Sequence, residues 1–196
     1  VIPVNDAPIA TDNATTVNED AFVAGNVISD DDGSGVDSDP EGDPLSVTSA
    51  QVDTDGDGTP NPLVLGVATA ITDNGGEPIG DLTVNGDGSY LFTPAPDYAG
   101  FVPPVTYVLS DGALNDTATL TIAIVPVNDA PVGTDETVNA DEDTATPLNP
   151  TLPTDVDDVA TDLSVTVTQV PAAGEGVITY TLDGGGTGTV TAATVM

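Results

Sequence analysis

No side chain in this chain carries a positive charge at neutral pH. Its 196 residues hold 33 Asp and Glu and no Lys, Arg or His, for a formal net charge of -33. Whatever it folds into must therefore do without internal ion pairs. The neutralising charge must come from outside as condensed or bound cations. The chemistry left to it is narrow. Without His, Lys or Cys there is no imidazole base, Schiff-base amine or thiolate nucleophile, and no zinc site of the Cys/His kind. Without Lys or Arg nothing clamps a phosphate. Duplex nucleic acid, with one negative charge per ~1.7 Å, is repelled, as is an anionic membrane surface. The oxygen donors that remain suit calcium, magnesium or manganese. Paired carboxylates for glycoside hydrolysis are available in number, but no aromatic-lined cleft accompanies them, so the chain reads as not an enzyme.

High acidity often accompanies disorder, but here hydrophobic residues make up 38% of the chain and fall in alternating runs. Thr and Val are abundant, and 21 Gly and 17 Pro punctuate the runs, the composition of an all-β protein with many turns. Leu120, Ile122 and Ile124 alternate with Thr119, Thr121 and Ala123 as a half-buried strand does. Leu82–Asn85 and Ser89–Thr93 flank Gly86-Asp87 as a hairpin, Leu45–Val52 is strand-rich, and Val105–Ser110 runs into a turn at Asp111-Gly112. Val177–Leu182 and Thr187–Val195 form a further expected hairpin around three glycines. No segment has helical periodicity. Several short strands in about 120 residues predict a β-sandwich, with Tyr90, Phe92, Tyr98, Phe101 and Tyr107 as core and corner residues. No cysteine is present, no basic-then-apolar leader is visible at Val1–Asp6, and no apolar run is long enough to span a membrane.

A repeat organises the chain. Ile2-Pro3-Val4-Asn5-Asp6-Ala7-Pro8 returns as Val125-Pro126-Val127-Asn128-Asp129-Ala130-Pro131, an offset of 128 − 5 = 123, and Glu19-Asp20 returns as Glu142-Asp143. Asp37-x-Asp39 and Leu45-Ser46-Val47-Thr48 match Asp155-x-Asp157 and Leu163-Ser164-Val165-Thr166 at an offset of 118, so the second copy is expected to lack five residues of the Asp/Gly-rich stretch Ser29–Gly35. The period is too long for a solenoid unit and fits domains in tandem. The expected organisation is one complete repeat over 1–126, its first four residues closing a preceding linker, and an incomplete second repeat over 127–196.

The junction Pro126-Val127-Asn128-Asp129-Ala130-Pro131 resembles that of bacterial cadherin-like and immunoglobulin-like tandem repeats, which fill giant calcium-dependent surface adhesins of the repeats-in-toxin type. The stretch from Leu82 to Gly100, with Asn85-Gly86-Asp87-Gly88-Ser89-Tyr90, and Tyr107-Val108-Leu109-Ser110-Asp111-Gly112 have the same look. The resemblance implies tandem Ig-like or cadherin-like sandwiches, an extracellular or bacterial cell-surface location, and calcium where one domain meets the next. It assigns Glu19, Asp97, Asn128, Asp129, Asp155 and Asp157 to one inter-domain cation cluster. Asn5, Asp6, Asp37, Asp39 and Asp111 form the equivalent half-site at the N-terminal linker.

A second metal candidate comes from the residues alone. Asp53-Thr54-Asp55-Gly56-Asp57-Gly58 is the first half of a D-x-D-x-D-G calcium loop, but the twelfth position is Val64 rather than Glu. It reads equally as an acidic turn or as a low-affinity calcium loop through Asp53, Asp55 and Asp57. The function expected is a non-enzymatic, calcium-rigidified spacer in a bacterial adhesin or matrix protein, acting in adhesion and biofilm. Its partners are neighbouring repeats of the same or identical chains, with a surface glycan or protein receptor as a further class. The alternative is a self-assembling filament subunit joined by strand addition between chains; a glycan-binding module ranks below both.

Overall fold

The computed structural model describes residues 4–133, 154–157, 178–181 and 187–190. The chain divides into two compact units, Val1–Asp129 and Ala130–Met196. All regular structure among the described residues is β.

In the first unit, ten strands form two sheets. One contains β1 (Asn13–Asn18), β10 (Asn115–Val125), β9 (Val105–Ser110), β3 (Ser46–Val52) and β4 (Asn61–Pro62) in that order, with β8 (Gly100–Phe101) also pairing β10. The other runs β2 (Val23–Asn26), β7 (Ser89–Pro94), β6 (Pro78–Val84) and β5 (Thr69–Thr72). Side chains alternate along each strand, and the inward sets of both sheets make one core. Ala118, Leu120, Ile122 and Ile124 come from β10, Leu82 and Val84 from β6, Tyr90 and Phe92 from β7. The expected all-β sandwich, the alternating strand and the hairpin at Gly86-Asp87 are all present.

Two departures have local causes. In β3, Val47 and Ala50 are both buried although three residues apart, because the register against β9 slips between Val47 and Ser49. The bulge inserts Thr48 and lets the strand present Val47, Ala50 and Val52 to one core. Phe101, expected inside, is 70% exposed. It pairs with Ala123 on short β8, which Pro103-Pro104 separates from β9, and its side chain faces outward.

β1 and β2 are consecutive in sequence but belong to different sheets, and each is the last strand of its sheet. β1 runs parallel to β10, Asn13 opposite Leu120 through Asn18 opposite Val125. Its end and the end of β10 therefore leave the sandwich together. In the second unit, β11 (Ile178–Thr181) and β12 (Thr187–Val190) pair antiparallel, Ile178 opposite Val190, as the expected hairpin does.

Candidate metal-binding ends of the repeat

The segment before β1 is extended and lies against the loop that precedes β3. Ile9 and Ser38 exchange backbone hydrogen bonds of 2.7 and 3.1 Å. That one bridge sets the acidic residues of both segments side by side with the turn after β9. Asn5 Nδ2 donates to Asp111 Oδ2 at 2.8 Å and to its neighbour's carbonyl, Asp6 O, at 2.9 Å. The Asp6 amide donates to Glu41 Oε2 at 3.1 Å. Asn5, Asp6, Asp39 and Asp111 of the expected half-site thus gather at one end of the sandwich, joined by Glu41 from the loop of Asp39.

Their carboxylates are not equivalent. Asp111 Oδ1 accepts the amides of Ala113 and Leu114 at 2.6 and 2.7 Å. The Leu114 amide, then the Asn5 side chain and the Ala113 amide, hold Asp111 below the usual carboxylate range. Asp39 Oδ1 accepts the amides of Glu41 and Asp43, both at 2.9 Å, which shapes the turn. Its other oxygen, Oδ2, is buried and meets no hydrogen-bond donor. A buried carboxylate oxygen without a donor is costly. A divalent cation removes that cost, and hard cations take such oxygens as ligands.

Asp37 behaves differently from Asp39. It is 6% exposed and points inward. Its Oδ1 accepts the Thr11 amide at 2.7 Å and its Oδ2 the Tyr107 hydroxyl at 3.1 Å. Burial raises its pKa, against the lowering by Thr11 and Tyr107. Asn13 Nδ2 donates to Thr11 O and Val27 O, both at 3.0 Å, beside the same hydroxyl. Asp37 therefore pins the N-terminal segment to the core, while Asp39, two residues on, is the one with an oxygen to offer.

At the opposite end of this unit, Glu19 is 4% exposed and accepts the Val127 amide at 2.7 Å. The same residue's amide donates to Val125 O at 3.1 Å. Glu19 thus ties the outgoing linker to the end of β1. Asp97 sits in the turn Ala95–Tyr98, closed at 3.4 Å, with φ 60° after Pro96. That conformation suits Asp better than most residues. Glu19 and Pro96 line the same depression, with Asp20, Ala21, Phe22, Thr93 and Pro94. Asn128 Nδ2 donates to Asp129 O at 2.7 Å, the same local bond that Asn5 makes to Asp6.

Asp155 and Asp157 belong to the second unit. There Val132 and Thr154 exchange backbone bonds of 2.8 and 3.0 Å, as Ile9 and Ser38 do in the first. The Asp157 amide donates to Asp155 Oδ1 at 2.9 Å, as Glu41 does to Asp39. Asp155 and Asp157 therefore match Asp39 and Glu41, an offset of 155 − 39 = 116 rather than 118. The bridges span 38 − 9 = 29 residues in the first copy and 154 − 132 = 22 in the second, so the second is seven residues shorter rather than five. The bridges thus align the two loops two residues away from the offset of 118 at which Asp37-x-Asp39 meets Asp155-x-Asp157 and Leu45-Ser46-Val47-Thr48 meets Leu163-Ser164-Val165-Thr166.

Asp53, Asp55 and Asp57 each place a carboxylate oxygen within 4.8 Å of the others. Two oxygens on opposite sides of a calcium ion, each at ~2.4 Å, are about that far apart. Asp53 also organises the loop, its Oδ1 accepting Gly56 and its Oδ2 Gly58, each at 2.8 Å. Burial acts to raise its pKa, but the amides of Gly58, Asp55 and Gly56 hold it below the ordinary value. At Gly56, with φ 68°, a Cβ would lie 2.2 Å from the Asn74 amide nitrogen, so glycine alone fits. The twelfth position, Val64, is exposed on the surface.

The family model of the bacterial cadherin-like domain matches residues 5–126. The chain belongs to the bacterial cadherin-like domain family. Comparison with curated proteins and with solved structures returns no match. The matched residues of this cadherin-like chain run from the Asn5-Asp6 pair to the linker beside Glu19, so both acidic ends just described lie in or against the matched span.

Proposed function

We propose that this cadherin-like chain is an extracellular repeat module stiffened by calcium, serving as a spacer in a bacterial surface adhesin or matrix protein. The observation that carries this reading is the buried, donor-less Oδ2 of Asp39, in the loop whose Glu41 accepts the Asp6 amide, at the end where Asn5 donates to Asp111. The residues that would hold the ion there are Asp39, Glu41 and Asp111, with Asn5 and Asp6 from the linker. At the other end they are Glu19, Asp97, Asn128 and Asp129. Asp155 and Asp157 would serve the next copy, and Asp53, Asp55 and Asp57 a local loop. A divalent ion at such a place turns carboxylate repulsion into attraction, and couples the linker segment to the domain beneath it. The partners of such a module are other repeats. Small-angle scattering of the full chain tests the spacer role. Calcium is expected to extend and narrow the distribution of dimensions relative to chelator at equal ionic strength; unchanged profiles would refute stiffening.

A further inference from the structure

The flank of the sandwich where β1 and β2 lie side by side in sequence has two unpaired edges, one from each sheet, because each strand pairs only with an inner neighbour. An open edge is a template for another strand. On this flank the loop after β2 reaches both, at one residue of each. The Asp30 carboxylate accepts the Asn26 amide at 2.6 Å, and the Asp30 amide donates to Asn26 O at 3.0 Å. Both outward backbone groups of Asn26 are thereby taken. Two residues on, the Asp32 carboxylate accepts the amide of Ala14 on the outward side of β1. Residue 25 is glycine, and the Asp30 carboxylate lies close over it: a Cβ there would stand 2.6 Å from Asp30 Oδ2 and 2.6 Å from the Tyr90 hydroxyl, so a side chain would have to displace one of them. Asp31, between them, accepts only Gly33 and Gly35 amides within the loop.

Charge-assisted bonds of this kind are the stronger class, and here they hold two of the outward amides, Asn26 and Ala14, that a strand from another chain would use. The second copy of the repeat, seven residues shorter between its equivalent bridge points, has no Asp or Glu between Asp143 and Asp155. The acidic run Asp30-Asp31-Asp32 thus belongs to the first copy and has no counterpart in the sequence of the second. We propose that Ser29–Gly35 is an edge guard: Asp30 and Asp32 occupy outward backbone groups of Asn26 on β2 and Ala14 on β1 and so keep a strand of a second copy of this chain from adding there. The guard acts apart from the proposed calcium sites, so its failure and theirs are separable.

The test is made on the full chain in chelator and in about 1 M NaCl, where a Debye length of ~3 Å removes the general repulsion between copies. In the variant Asp30→Ala/Asp32→Ala, the Ala14 and Asn26 amides are expected to exchange with solvent at least about tenfold faster at high dilution. Sedimentation is expected to show association that grows with concentration beyond that of the native chain. Asp31→Ala, which removes one charge from the same loop, is expected to match the native chain. Ala14→Pro added to the double variant removes an edge donor directly and is expected to reduce the association. The proposal is overturned if the double variant associates no more than the native chain. It is equally overturned if Asp31→Ala associates as much, or if the proline leaves association unchanged.

Discussion

Calcium is expected to raise the Tm of the metal-free chain by on the order of 10 °C when the free ion is held near a hundred times its dissociation constant. Each site that binds only the folded state contributes about 2.7 kcal/mol at that concentration, and a chain of this length gains roughly 2–4 °C per kcal/mol. Two of the proposed sites, at Asp39 and at Asp53/Asp55/Asp57, would suffice. Sodium chloride of equal ionic strength screens the net charge without filling either oxygen cluster, and is expected to produce only a small part of the shift. Protons compete for the same carboxylates, so the gain from calcium shrinks as pH falls toward about 4. Differential scanning calorimetry in calcium and in chelator measures it, and coincident transitions would contradict bound calcium as a structural component.

The second large effect is at Tyr107, 1% exposed, whose hydroxyl lies 2.9 Å from Thr11 O and 3.1 Å from Asp37 Oδ2. Tyr107→Phe keeps the ring in the core but leaves a buried carboxylate oxygen without its donor, at a cost of about 3 kcal/mol at neutral pH. The pH dependence follows from the direction of the Asp37 shift. Its pKa is raised in the fold, so its contribution to stability is fully present below the ordinary value of 3.8 and is lost as pH rises through the folded value. Removing the Tyr107 donor raises that pKa further. The penalty of Tyr107→Phe is therefore larger at pH 7 than near pH 3.5. Denaturant unfolding at the two pH values, native against variant, reads it directly. The carboxylates held below their ordinary values, such as Asp111 and Asp53, lose stability in acid in both proteins, and so cancel from the difference. A penalty under about 1 kcal/mol, or one independent of pH, would show that Asp37 carries no buried charge.

What the sequence made legible was whatever depends on short-range pattern. The alternation of Leu120, Ile122 and Ile124 set the long strand β10, and the Gly86-Asp87 turn set the β6–β7 hairpin, because side-chain period and turn chemistry are local. β1 was not legible: Asn-Ala-Thr-Thr-Val-Asn has no strong strand signature, and its parallel partner begins over a hundred residues later, Asn13 against Leu120. The acidic ends were legible as a set and not individually. Asp37 and Asp39 share one motif, yet Tyr107, seventy residues away in sequence, draws the first inward and leaves the second an oxygen to give. Glu41 entered the site only through the amide of Asp6. The repeat was legible in its letters, but its register came from the Ile9–Ser38 and Val132–Thr154 bridges.

This distinction returns to the absence of positive charge. If the carboxylates merely condense counterions, removing any one of them has the same small effect. If a few of them are ligands, position decides. Isothermal titration of calcium into the native chain, Asp39→Ala and Asp31→Ala, in about 0.15 M NaCl, separates the two. The expected result is at least a tenfold weakening, or loss of one site, in Asp39→Ala, with Asp31→Ala titrating like the native chain. Equal titrations from the two variants, or heats that never saturate, would contradict calcium held by particular residues of this fold.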